Sequence, residues 1–190
     1  MKNIITTFTL LCVLAGVVKS QQLYFSLEPY TGKKDIVSID IPQGWLQANN
    51  ENIGVAAHQV FTKVGETLEH NKGFVFIQTI ATDETFTTPE AIVEQELMML
   101  KSQSVKLDVL SNIHSDKKKN QAEIISVKGT ADGDMLMAFI PVKKAVIVIT
   151  LCASETDDII SNTVDFVSMV KSYQINPVIN PPSFADLVIW

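Results

Sequence analysis

The sequence predicts an α+β domain, a three-layer α/β/α sandwich around a central, mainly antiparallel twisted sheet. Three observations carry this. Strand-like runs outnumber helices, and the last four of them, between Lys106 and Ala153, are joined by tips too short for anything but antiparallel neighbours. Two amphipathic helical stretches flank this meander, and the central strands are apolar on both faces, so layers must cover the sheet from both sides.

Two extended segments come first, Gln22 to Leu27 and Ile36 to Ile41, separated by the turn signals Pro29, Gly32 and Asp35. Leu23, Phe25 and Leu27 alternate with less apolar residues, as do Val37, Ile39 and Ile41, so a hairpin with one buried face is expected. After Pro42-Gln43-Gly44-Trp45 and a polar loop at Asn49 to Asn52, two further strand-like runs span Val55 to Val64 and Phe74 to Thr82. The second of these reads as apolar on both faces and is expected to be covered twice.

A helix is expected over Pro89 to Ser104. Thr88 suits its N-cap, Pro89 its first position, and Glu90 its positive dipole end. Val93, Leu97 and Leu100, with Ile92 and Met99, make the inward stripe, while Glu94, Gln95 and Lys101 face water. The meander follows as Lys106 to Ser115, Gln121 to Ala131, Met135 to Val142 and Ala145 to Ala153, with tips at Asp116 to Asn120, Asp132-Gly133-Asp134 and Lys143-Lys144. The last helix runs from Glu155 to Tyr173, with Ser154 and Asp157 as a capping box. Its apolar stripe is Ile159, Thr163, Phe166, Val170 and Tyr173, joined by Ile160, Val164 and Val167. Prolines at 177, 181 and 182 then break helix, and the tail ends Leu187-Val188-Ile189-Trp190. The division is a signal peptide at 1–20, a single domain at 21–175 and a Pro-containing apolar tail at 176–190.

The expected signal peptide rests on Lys2, an apolar stretch from Ile4 to Val18 and the small-residue pattern Val18/Ser20 before Gln21. The stretch falls short of the roughly 20 apolar residues a spanning helix needs. Cys12 follows Leu10-Leu11 inside the apolar run, so it is expected to leave with the signal without lipidation. Only Cys152 then remains, amid apolar neighbours, and an inert buried thiol is the expected reading. A disulfide-free chain without an Asn-x-Ser/Thr sequon fits a bacterial periplasm or cell exterior. A soluble, exported protein is expected.

Net charge is -6, and removing residues 1–20, which hold two lysines and no acids, makes it -8. All 15 basic residues are lysine. With no arginine for bidentate contacts to phosphate or guanine, and an acidic balance, neither nucleic acid nor an anionic membrane surface is an expected partner.

The order of elements, with Val37-Ser-Ile-Asp-Ile-Pro-Gln-Gly-Trp45 near its front and the Thr88-Pro-Glu90 helix opening, resembles the PsbP-like superfamily. That group includes the extrinsic P subunit of the photosynthetic oxygen-evolving complex, a Ran-binding nuclear import factor and bacterial exported proteins of the DcrB type. The resemblance covers residues 23 to 173. It implies a compact α/β/α sandwich that acts by binding, docking to a larger complex or holding a ligand, without catalysis of its own. No binding residue of the family matches a position here, so none is carried over.

Chemistry-bearing patterns point the same way. His58, His70 and His114 stand in no metal-ligand spacing, and Asp83-Glu84 and Asp157-Asp158 read as loop and helix-start charges. Calcium-loop, nucleophile-elbow and phosphate-loop patterns are missing, and Lys117-Lys118-Lys119 reads as a solvated hairpin tip. No catalytic residue, metal or cofactor is therefore expected. The candidate partner-binding residues are Trp45, after a Pro/Gly turn, and Phe184, Leu187, Ile189 and Trp190 in the tail. Each set has a second reading, packing on its own domain or over a sheet edge. The functional expectation is an exported, non-catalytic binding or assembly module for a protein partner or envelope complex; the alternative is a carrier of a small apolar ligand in a pocket between sheet and helix.

Overall fold

The structure is a computed structural model, and it describes residues 21–48, 59–70, 72–103, 106–114, 121–130 and 133–177. The expected signal peptide, Cys12, His58, the lysine tip at 117–119 and the tail from 178 lie outside the described residues.

Chain order begins with β1 (Gln21–Ser26), the short helix α1 (Glu28–Thr31), β2 (Asp35–Ile41), β3 (Trp45–Gln47), β4 (Gln59–Lys63) and β5 (Phe74–Ala81). Then come α2 (Pro89–Ser102), β6 (Lys106–His114), β7 (Gln121–Thr130), β8 (Gly133–Val142), β9 (Ala145–Ala153), α3 (Thr156–Ser172) and β10 (Gln174–Pro177). Seven strands form one antiparallel sheet in the order β3-β4-β5-β9-β8-β7-β6. After β5 the chain passes through α2 to the far edge at β6, and the meander then walks back until β9 pairs with β5 along the whole length of β5. The expected α+β architecture, with helices on both faces of an antiparallel sheet, is what the chain adopts.

Strand alternation sends odd residues of β9 to one face and even ones to the other. Ile147, Ile149 and Leu151 join Leu136 and Ile140 of β8 beneath α3, whose Ile159, Phe166, Met169 and Val170 are buried there. On the opposite face Val146, Val148, Met137 and Phe139 meet Ile92 and Leu100 of α2, with Val93 and Leu97 half-buried beside them. Every residue of β9 is buried. Burial on both faces was expected for β5; there, Val75 and Ile77 are buried and Phe74 and Phe76 only half-buried. β9 is covered on both faces throughout its length, lying with β8 between α2 and α3.

One layer differs in kind from the sequence expectation. The β1–β2 hairpin forms in register Gln21↔Ile41 to Ser26↔Ile36, but it does not join the main sheet. It makes a separate three-stranded sheet, β1-β2-β10, whose Val37, Ile39 and Ile41 share the core with α3. That side of the sandwich is therefore helix and small sheet together. Asn176 and Pro177, expected as the start of the tail, pair with Ile36 and Asp35 in β10.

The helix ends follow local chemistry at α2 and depart from it at α3. The Thr88 hydroxyl accepts the Ala91 N–H at 3.2 Å, as the cap requires. At α3 the N-cap is Glu155, and no side chain caps it. The capping box at Ser154 does not form, since the helix begins one residue later than its spacing needs. Two stripe assignments are corrected as well. Met99 of α2 is exposed, and Glu96 takes a half-buried place on the inner side instead. Ile160 and Val164 of α3 are 64% and 78% exposed, because the helix turns Asn162 and Met169 inward rather than these two.

Candidate functional site

Two places on the domain gather groups from distant parts of the chain. The first is the corner around Trp45. Trp45 N–H donates to the Pro42 carbonyl at 3.2 Å, closing a turn with Gly44 at φ 89° in the position that favours glycine. The turn drives the indole inward, and Trp45 is 2% exposed. Its Nε1–H donates to Oδ2 of Asp165 in α3 at 2.8 Å. Lys63, the strand partner of Trp45, places its Nζ 3.7 Å from the same oxygen and 5.6 Å from the indole ring centroid.

This knot ties β3, β4 and α3 together, with Lys63 and Asp165 both about a third exposed. Val164 stands next to Asp165, and Val64, 62% exposed, stands next to Lys63. Ile160 lies one helical turn before Val164 on the same exposed face. Trp45 itself thus packs on its own domain. The exposed apolar residues here include Val64 together with Ile160 and Val164, which the stripe reading had buried. Phe184, Leu187, Ile189 and Trp190 lie outside the described residues.

The second place is a cleft of about 510 Å³ at one end of the domain, where the small sheet, the start of α2 and the β8–β9 turn meet. Leu27, Pro89, Pro141, Val142 and Ile175 supply its apolar walls. Thr31, Asp35, Glu90 and Lys143 supply its polar ones. The walls are held by local bonds: Leu27 N–H donates to the Asp35 carbonyl at 2.8 Å, and the Thr31 hydroxyl to the Leu27 carbonyl at 3.0 Å. The β8–β9 turn is anchored where the Thr82 N–H and hydroxyl donate to the Lys144 carbonyl at 2.9 and 3.1 Å. The neighbouring ammonium of Lys33 pushes the pKa of Lys143 down, with Lys144 adding to the effect and Asp35 opposing it.

Other sequence candidates resolve into structure. Asp83 caps the loop before α2, its Oδ1 accepting the N–H groups of Thr85 and Phe86 at 2.8 and 2.7 Å. Asp157 and Asp158 sit in the first turn of α3. Cys152 is a buried thiol in no disulfide, His70 is exposed in a loop, and His114 ends β6. No group of three or more His, Cys, Asp or Glu side chains converges among the described residues. Among them, too, no helix is long and apolar enough to cross a membrane.

No family model and no curated protein matches the chain. Solved structures do. LpqN of Mycobacterium tuberculosis, described as involved in cell envelope biogenesis, superposes with a TM-score of 0.50 at 13% identity, over 83% of this chain and 91% of that one. The cyanobacterial PsbP of Synechocystis sp. PCC 6803 gives 0.49 at 13% identity, over 87% and 99%. The Ran-binding protein Mog1p of Saccharomyces cerevisiae gives 0.47 at 13%, over 82% and 96%. The chain has the PsbP-like fold. At such identities the likeness is one of architecture.

Proposed function

We propose that the chain is an exported, non-catalytic binding module that docks onto a protein partner or envelope complex. The observation that carries this reading is the pair Ile160 and Val164, apolar neighbours on α3 open to solvent beside the Trp45–Asp165–Lys63 knot. A rigid scaffold under an exposed apolar pair, rimmed by a half-exposed ion pair, has the make-up of a protein contact with a polar rim. The tail extends the reading: Phe184, Leu187, Ile189 and Trp190 follow β10, an edge strand, and an apolar segment there can add to a partner's sheet. LpqN, which shares the fold, is a protein of cell envelope biogenesis, and this accords with the export signal read at residues 1–20.

Native mass spectrometry on the protein taken from its own cell envelope at low salt tests the reading. A chain beginning at Gln21 with a second protein bound is the expected result. Val164→Asp, and separately deletion of 178–190, which leaves β10 in place, should lower that association while the melting temperature holds. Association unchanged in both variants, or a bare monomer from the intact chain, overturns it. A second reading, a small-ligand carrier, is favoured by one observation, the cleft between the two sheets and the start of α2.

A further inference from the structure

The solvent side of α3 carries a stripe with opposite charges at its two ends and an apolar middle. Asp157, Ile160, Ser161, Val164, Ser168 and Lys171 are all exposed. At about 3.6 residues per turn, steps of three, four and seven keep these six on one face, away from the side that packs on the sheet. Val164, 78% exposed, is the midpoint. Asp157 stands seven residues before it and Lys171 seven after, each about 10 Å away along the helix. The residues of the stripe between those two ends carry no charge, since Asp165 lies to the side, bonded to Trp45. Among the described residues no ion pair engages Asp157 or Lys171.

We propose that this face of α3 packs against the same face of a second copy of the chain, the two helices antiparallel about a twofold axis at Val164. Asp157 of each copy then lies opposite Lys171 of the other, Ile160 lies opposite Ser168, and Val164 meets Val164. The contact uses one surface twice and closes at two copies. A parallel pairing would set Asp157 against Asp157 and Lys171 against Lys171, so charge fixes the direction. Any other partner would need an apolar centre with a cation at one end and an anion at the other, at this spacing; α3 turned end for end supplies it. Ser168 is small enough to leave room for the side chain of Ile160. The inference rests on the docking reading of Ile160 and Val164 and names the partner.

Sedimentation equilibrium of the purified protein over about 1 µM to about 1 mM tests it, a range suited to a contact made by one helix pair. A concentration-dependent dimer is the expected result. Asp157→Lys and Lys171→Glu, both at exposed positions, each turn two attractive pairs into two repulsive ones and should each weaken the dimer by about tenfold or more. Mixed in equal amounts, the two variants should associate as strongly as the unchanged protein, because every facing pair in the mixed dimer is again of opposite charge. Recovery on mixing cannot come from variants that fail to fold. A dimer equally strong in both single variants, or no association on mixing them, overturns the inference. If the protein stays monomeric over the whole range yet a different protein accompanies it from the envelope, the second copy is overturned and the docking reading stands. A monomer in both measurements overturns the two together.

Discussion

The indole N–H of Trp45 donates to Oδ2 of Asp165 across 2.8 Å, and this bond ties the turn after β2 to the middle of α3. Asp165→Ala leaves a buried donor without its acceptor and should cost about 1–3 kcal/mol in urea unfolding. Asp165→Asn keeps an acceptor and loses only the ion pair to half-exposed Lys63, so its cost should stay under about 1 kcal/mol. Equal losses would show that the hydrogen bond is not what holds the corner.

Gly133 opens β8 with φ at 104°, and a Cβ there would lie 2.2 Å from the Ala153 carbonyl oxygen and 2.9 Å from the Ser154 Cα. Both are backbone atoms, at the end of β9 and just past it, and cannot swing aside. Gly133→Ala should therefore lose more than about 2 kcal/mol of unfolding free energy. Gly44→Ala, strained at φ 89° but in open space, should lose about 1 kcal/mol.

Two carboxylates should respond to acid in opposite senses. The Thr156 hydroxyl at 2.7 Å, with the Gly129 N–H at 3.2 Å, holds Asp134 below the ordinary aspartate range. A depressed folded value gives stability that is present above about pH 4 and lost as pH falls through it. Thr156→Ala should thus destabilise slightly at pH 7 and have little effect at about pH 2. Burial raises Glu96, so its ionised form is disfavoured in the fold, and its contribution is lost as pH rises through the folded value. Glu96→Gln should raise the melting temperature at pH 7 and leave it unchanged at about pH 3.

Thr88→Ala removes the side-chain cap of α2 and should cost about 1 kcal/mol. Ser154→Ala, at the position where the sequence pattern suggests a cap for α3, should be neutral, because Glu155 is the N-cap there. Thermal unfolding of the two variants side by side checks both statements.

Elements set by neighbouring residues were the legible ones. The Thr88-Pro89-Glu90 opening of α2 and the Lys143-Lys144 tip between β8 and β9 depend on interactions a few residues apart, and both stand as expected. Pairings between distant segments leave no such trace. Nothing near Gln174 announces that it will pair with Ser38, and nothing near Trp45 announces Asp165, 120 positions away. Ile160 and Val164 read as core because hydrophobicity says which residues gain by burial, while the breadth of the surface that α3 meets decides which of them obtain it. The cleft draws Leu27, Glu90, Val142 and Ile175 from four separate stretches, so no motif could reveal it.

The place of β2 in the small sheet bears on how the polypeptide comes together in time. With β1 on one side and β10 on the other, the first hairpin waits on residues 174–177 for its third strand and on α3 for its covering layer. A nascent chain still short of that point cannot close its own amino-terminal end, and contacts of such long sequence separation slow folding. The arrangement leaves β2 without its third strand until residues 174–177 have been synthesised.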